Sequence, residues 1–151
     1  MDDFKLTERH KQLLIRCAVY CGLALLVLLP LLRPGFILTL DMVFAPSINI
    51  PQYASGPLYI FWGFLHVLNF ALASSTIQKM ILFAILFLSG FGMHRFLEKI
   101  GPRSLAENWK WGCYFGGILY MINPFTYSRF MAGQFAVLLG YALVPFLLHH
   151  S

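Results

Sequence analysis

Acidic residues are scarce in this chain. Six Asp/Glu stand in 151 positions against 11 Lys/Arg, and charged residues make up only 11% of the total. A soluble domain averages about 25% charged and about 45–50% apolar residues. Here the apolar share is 59% and the mean hydropathy is +0.71. That balance excludes a disordered tail and an ordinary cytosolic enzyme, and it places a single domain in a membrane. Cysteine is also sparse. Cys17, Cys21 and Cys113 give no disulfide framework. Cys17 and Cys21 share a helix face but lack the histidine or acid that a zinc site needs, so packing is their expected role. The chain has no glycine-rich phosphate loop, HExxH, GxSxG or CxxC motif. It also has no internal repeat and no low-complexity segment.

The net charge of +5 raises the question of nucleic acid. Between Lys11 and Arg95 the only formal charges are Arg16, Arg33, Asp41 and Lys79. The basic residues cluster instead at Lys5, Arg9 and Lys11, and again at Arg95, Lys99, Arg103 and Lys110. Short basic segments flanking apolar runs follow the positive-inside pattern. No contiguous basic face of the kind a duplex binder requires can be drawn, so nucleic acid is not an expected partner.

A helix needs about 20 apolar residues to cross the hydrocarbon core. The sequence predicts an all-α polytopic protein of the cell membrane with a cytoplasmic N-terminus. Residues 1–11 form a cytoplasmic tail and 12–32 the first span, with Arg16 snorkelling to the surface. A cleaved signal peptide is the rival for this segment, but Leu32-Arg33-Pro34-Gly35 lacks a small-x-small cleavage site. Residues 33–75 form an outer loop, 76–96 the second span and 97–110 a basic cytoplasmic loop. Residues 111–129 form a third span broken at Asn123-Pro124, and 130–148 the fourth. Within the outer loop, 58–73 is aromatic and apolar but short. Were it to cross, the basic residues at 95–110 would fall outside, so it is expected to lie in the interface or dip in as a re-entrant helix. An apolar run ending at His149-His150-Ser151 suggests an N-terminal fragment of a longer protein, its remaining helices supplied by that chain or by a partner subunit.

Asp41 stands apart from the other acids. Asp2, Asp3, Glu8, Glu98 and Glu107 all fall on the cytoplasmic side, leaving Asp41 alone outside among apolar neighbours. A carboxylate so placed is costly unless paired, and it is a functional candidate for that reason. Partial desolvation would raise its pKa and suit it to accept a proton. It could equally cap a turn starting at Met42. Arg129 follows the helix break on the same side, where its guanidinium could hold a phosphate by paired hydrogen bonds or anchor the interface beside Tyr127. Non-helical backbone at membrane depth must be buried in protein or line a cavity, which makes the break at 123–129 a second place of interest. His66 reads as a satisfied interface residue and His94, beside Arg95, as solvated. Gly112-x-x-x-Gly116, and Gly133 with Ala136 and Gly140, are small-residue faces for close helix packing. With one outer acid, a two-carboxylate glycosidase is excluded within this chain.

Two passages carry a family resemblance. One is the first span followed by Leu32-Arg-Pro-Gly-Phe-Ile-Leu-Thr-Leu-Asp41. The other is Tyr120-Met-Ile-Asn-Pro-Phe-Thr-Tyr-Ser-Arg129-Phe-Met-Ala-Gly-Gln134. Together they resemble the N-terminal region of polytopic proteins related to the C-type glycosyltransferases of the GT-C fold. The resemblance implies a polyprenyl-phosphate-linked sugar donor and inverting transfer outside the membrane. It makes Asp41 the catalytic acid of the first outer loop, with Arg129 and Asn123 as substrate-binding residues. Many members have a second acid beside the first. Here Leu40 and Met42 stand there, so a divalent cation finds no support from a second carboxylate. Two alternatives remain beside it. One is a transporter or flippase segment built on the broken helix; the other is a small structural membrane subunit in which Asp41 caps and Arg129 anchors.

Overall fold

The structure, a computed structural model, describes residues 2–42, 44–52, 54–102 and 106–150, with side chains omitted for 2–9, 106 and 107. Among the described residues it is all-helical, with no strand. Helix α1 (Asp2–Leu28) runs into a 3-10 turn at Leu29–Leu31. Then follow α2 (Pro57–Leu68), α3 (Ser74–Ile100), α4 (Ala106–Ile122), α5 (Pro124–Ala132) and α6 (Phe135–His150). Among the described residues two stretches are long and apolar enough to cross a membrane: His10–Leu31, with a hydropathy of 2.2, and Ser74–Ile100, with 1.8.

Side-chain pairs fix the direction of each helix. Arg16 midway along α1 meets Glu98 near the end of α3, with Nη1–Oε2 at 2.7 Å and Nη2–Oε1 at 2.6 Å. At the opposite end, Gln78 clasps the chain just beyond α1. Its Oε1 accepts from the Ile37 amide at 2.9 Å and its Nε2 donates to the Ile37 carbonyl at 2.7 Å. Lys79 donates to the Arg33 carbonyl at 2.6 Å. Helices α1 and α3 are therefore antiparallel neighbours, and everything from Leu32 to Ala73 leaves and returns at one end, here called the loop end. The other, with Arg16 and Glu98, is the basic end. Arg16 is held in a two-point pair rather than snorkelling to the surface.

The connection from 32 to 73 is a folded cap. Met42, Phe44, Ile48 and Leu65 are buried with Leu28 and Ile77 of the long helices. Asn69 just past α2 accepts from the Ile48 amide at 2.8 Å, and His66 bonds the Ile48 carbonyl. Both backbone groups of Ile48 thus find side-chain partners without a strand. Helix α2 has 12 residues, about 18 Å at the α-helical rise, which is short of a crossing.

Helix α4 returns toward the loop end, with the Trp109 indole donating to the Leu97 carbonyl at 2.9 Å near its start. Helix α6 runs back beside α3, bringing Lys99 to the His149 carbonyl. The α3–α4 crossing is close because of two glycines. A Cβ on Gly117 would sit 2.8 Å from the Gly90 carbonyl oxygen, and one on Gly90 would sit 2.6 Å from the Tyr20 ring. Gly116 meets Leu97, whereas Gly112 faces only Trp109 of its own helix and Gly140 has nothing within 4 Å. Of the glycines picked out by spacing, Gly116 and Gly133 pack against a neighbouring element and Gly112 and Gly140 do not.

Polarity is distributed inside-out. Gln78, Ser89 and His94 are buried, while Leu14, Leu26, Phe115 and Leu147 point outward and are each more than half exposed. Only 17% of the most apolar stretch of α1 is buried. In water those exposed side chains would be a large patch without cover; in lipid they meet a matching solvent.

Candidate functional site

The break after α4 is held by two prolines and two tyrosines. Pro124 and Pro145 have no N–H, so each leaves the carbonyl four residues back, at Tyr120 and Tyr141, without its helical donor. The rings of Tyr120 and Tyr141 stack at 4.1 Å between centroids, and their hydroxyls trade places. Tyr141 donates to the Tyr120 carbonyl and Tyr120 to the Tyr141 carbonyl, each at 3.0 Å. Asn123 completes the junction. Its Oδ1 caps α5 by accepting from the Thr126 amide at 2.9 Å, and its Nδ2 donates to the Tyr120 carbonyl and the Tyr141 hydroxyl. The break is thus a single residue wide, and Arg129 lies on a helix, where the sequence predicts an irregular stretch over 123–129.

Helix α5 ends at Gly133, whose φ of +76° suits glycine. A Cβ there would also sit 2.5 Å from the Met42 amide nitrogen, so the outer loop packs directly on this turn. The Asp41 amide donates to the Ala132 carbonyl at 2.9 Å. That bond pins the loop acid to the end of α5 and brings three side chains into a row. Arg129 Nη1 donates to Gln134 Oε1 at 2.7 Å, and Gln134 Nε2 donates to Asp41 Oδ2 at 3.3 Å. The guanidinium also lies 5.5 Å from the centroid of the Phe125 ring. Asp41 and Arg129 therefore share a site through Gln134, while the bonds of Asn123 go to Tyr120, Thr126 and Tyr141. No helix begins at Met42 among the described residues, and the turn that Asp41 could cap includes Val43, which lies outside them. Its side chain is exposed in this chain, which removes the burial expected from its apolar neighbours.

A groove of about 740 Å³ opens beside this row, between the outer loop, α2 and α6. Asp41 and Ser55 provide its polar edge, and Phe44, Phe61, Trp62 and Phe135 its aromatic walls. The Phe61 and Phe135 rings stack at 6.3 Å, and Phe44 meets Phe135 edge-on at 5.9 Å. Such a site can accept a proton at its rim and hold an apolar chain, or the C–H face of a sugar, against its walls. No family model, curated protein or solved structure matches the chain. The geometry is thus the basis for any reading of function.

Sequence reasoning missed Gln134, although it is the only amide or charged side chain between Arg129 and His149. It also placed His94 in solvent. His94 is 3% exposed, with Nδ1 3.0 Å from the Tyr20 hydroxyl and its ring edge-on to Tyr114 at 4.6 Å. Adjacent helical residues point about 100° apart, so a charged neighbour at Arg95 says nothing of where His94 points. His66 is satisfied by Ile48, as expected. No group of three or more His, Cys, Asp or Glu able to hold a metal occurs among the described residues.

Proposed function

We propose that this chain is part of a membrane-embedded glycosyltransferase of the C type. On this reading the loop end faces the extracytoplasmic side, and the sugar donor is linked to polyprenyl phosphate. The supporting observation is the placement of Asp41 at the rim of the aromatic groove, joined to Arg129 through Gln134. Helices α1 and α3, the α4–α5 pair and α6 make four crossings, with α2 lying in the outer interface and the N-terminus in the cytoplasm. Further helices of a longer chain or a partner subunit complete the lipid groove.

In the reaction, an acceptor hydroxyl oxygen attacks the anomeric carbon of the donor. The bond from that carbon to the phosphate oxygen breaks, and the lipid phosphate departs with the bonding electrons. Asp41 takes the hydroxyl proton through Oδ1, which no hydrogen bond from the described residues occupies. Arg129 stabilises the charge gathering on the phosphate. The transporter alternative draws on open helix ends at the Asn123 break, and those ends already have partners in the chain.

Asp41→Asn in the full-length protein tests the reading, because Asn keeps the size and hydrogen-bonding capacity but does not accept a proton at neutral pH. Membranes carrying the variant at wild-type level should transfer sugar from a polyprenyl-phosphate donor about 10²–10⁴-fold more slowly. Wild-type transfer by that variant would falsify the catalytic role.

A further inference from the structure

The basic end carries a second cavity, of about 270 Å³, between α1, α3 and α4. Arg16, Glu98, Gln12, Trp109 and Lys110 line it, with His94 at its inner wall. Glu98 is the only acid among its described lining residues, and the two-point pair with Arg16 neutralises that charge. The pair uses two of the five guanidinium N–H donors and fixes the plane of the rest. Lys110 has no partner among the described residues, and its exposed ammonium adds a positive charge at the cavity's rim. The Trp109 ring is locked as a wall by its bond to the Leu97 carbonyl, in space that a side chain on Gly101 would fill. The donors here are therefore cationic, and those of Arg16 are oriented.

We propose that this cavity binds the phosphate headgroup of an anionic phospholipid. The inference rests on the membrane location in the reading above and not on its enzymology. The volume is below the roughly 300–1,000 Å³ of pockets that enclose whole small-molecule ligands, and it suits a headgroup whose tails stay outside. Tails have a path: Ile15 beside Arg16, and Trp111 and Phe115 flanking the cavity residues of α4, are all exposed apolar side chains. Basic pockets between helices at the cytoplasmic face recognise lipid headgroups by this chemistry. A free phosphate would use the same donors but leave the apolar flanks uncovered.

The full chain is reconstituted in phosphatidylcholine vesicles with and without phosphatidylglycerol, and lipid retained after mild detergent extraction is counted by native mass spectrometry. Phosphatidylglycerol should be retained in preference to phosphatidylcholine. Lys110→Gln, an exposed change that leaves the Arg16–Glu98 pair intact, should lower phosphatidylglycerol retention about fivefold without changing that of phosphatidylcholine. Lys99→Gln removes a charge at the same end whose amine is already bonded to the His149 carbonyl, and it should leave retention unchanged. Equal losses in both variants would mean a diffuse surface potential and overturn the site. Displacement of the lipid by free glycerol 3-phosphate would make the ligand a soluble phosphate and overturn the lipid assignment. Protein that floats with vesicles but shows no preference overturns this inference alone; protein that fails to float overturns the membrane reading beneath it.

Discussion

Gly117 and Gly140 are both helical glycines in apolar surroundings, yet their neighbourhoods are opposite. A methyl on Gly117 would meet the Gly90 carbonyl oxygen at 2.8 Å, a backbone atom that can yield only by separating α3 from α4. A methyl on Gly140 meets nothing within 4 Å. Gly117→Ala should therefore destabilise the protein by about 1–3 kcal/mol through overpacking. Gly140→Ala should be neutral or stabilise it by up to about 1 kcal/mol through helix propensity. Reversible unfolding of the two variants in mixed micelles measures both values, and equal effects would contradict the packing described. Spacing alone singles out Gly112 with Gly116 and Gly133 with Gly140 but not Gly117, because a residue interval defines one face of a helix without saying what that face touches. The same limit hid Gln78. It is fully buried, and its importance lies in Ile37, which is distant in sequence.

The exchange between Tyr120 and Tyr141 belongs to the element scale, since it lets two proline-containing helices keep their carbonyls bonded. Tyr120→Phe should leave the Tyr141 carbonyl without a donor and cost about 1–3 kcal/mol. Pro145→Ala restores the N–H four residues on, so the double variant should recover most of that loss. A double-mutant cycle read by unfolding checks it; additive costs would show that the hydroxyl acts in some other way. Much at this scale was legible in the sequence. The long apolar runs announce α1 and α3, and Asn123-Pro124 marks the end of α4. The continuation was not legible. Asn123 restarts the helix as an N-cap at once, so the break is sharper than a polar Asn-Pro-Phe-Thr-Tyr-Ser stretch suggests. The candidate site was half legible: Asp41 by its isolation, and Arg129 by its place after the break. Gln134 joins them only because Gly133 turns the chain back onto the outer loop.

At the scale of the whole molecule, the helix directions separate two ends with different charge. Eight of the 11 Lys/Arg residues lie before Cys17 or between Phe91 and Trp111, and three, Arg33, Lys79 and Arg129, lie elsewhere. On the proposed reading, the positive-inside rule would put the basic end in the cytoplasm and Asp41, Gln134 and the groove outside. The sequence expectation pairs Ser55 outside with Ser104 inside. Ser104 lies outside the described residues, so Pro102 at the end of α3 serves in its place. With Cys17, Cys21 and Cys113 replaced by alanine, a cysteine at Ser55 should react with a membrane-impermeant maleimide added to intact cells. A cysteine at Pro102 should react only after permeabilisation. Labelling of both from outside would place the two ends on one side, which antiparallel α1 and α3 cannot do while spanning a bilayer. Labelling of Pro102 alone from outside would invert the orientation. Asp41 would then face the cytoplasm, and a lipid-linked donor presented on the outer surface could not reach it.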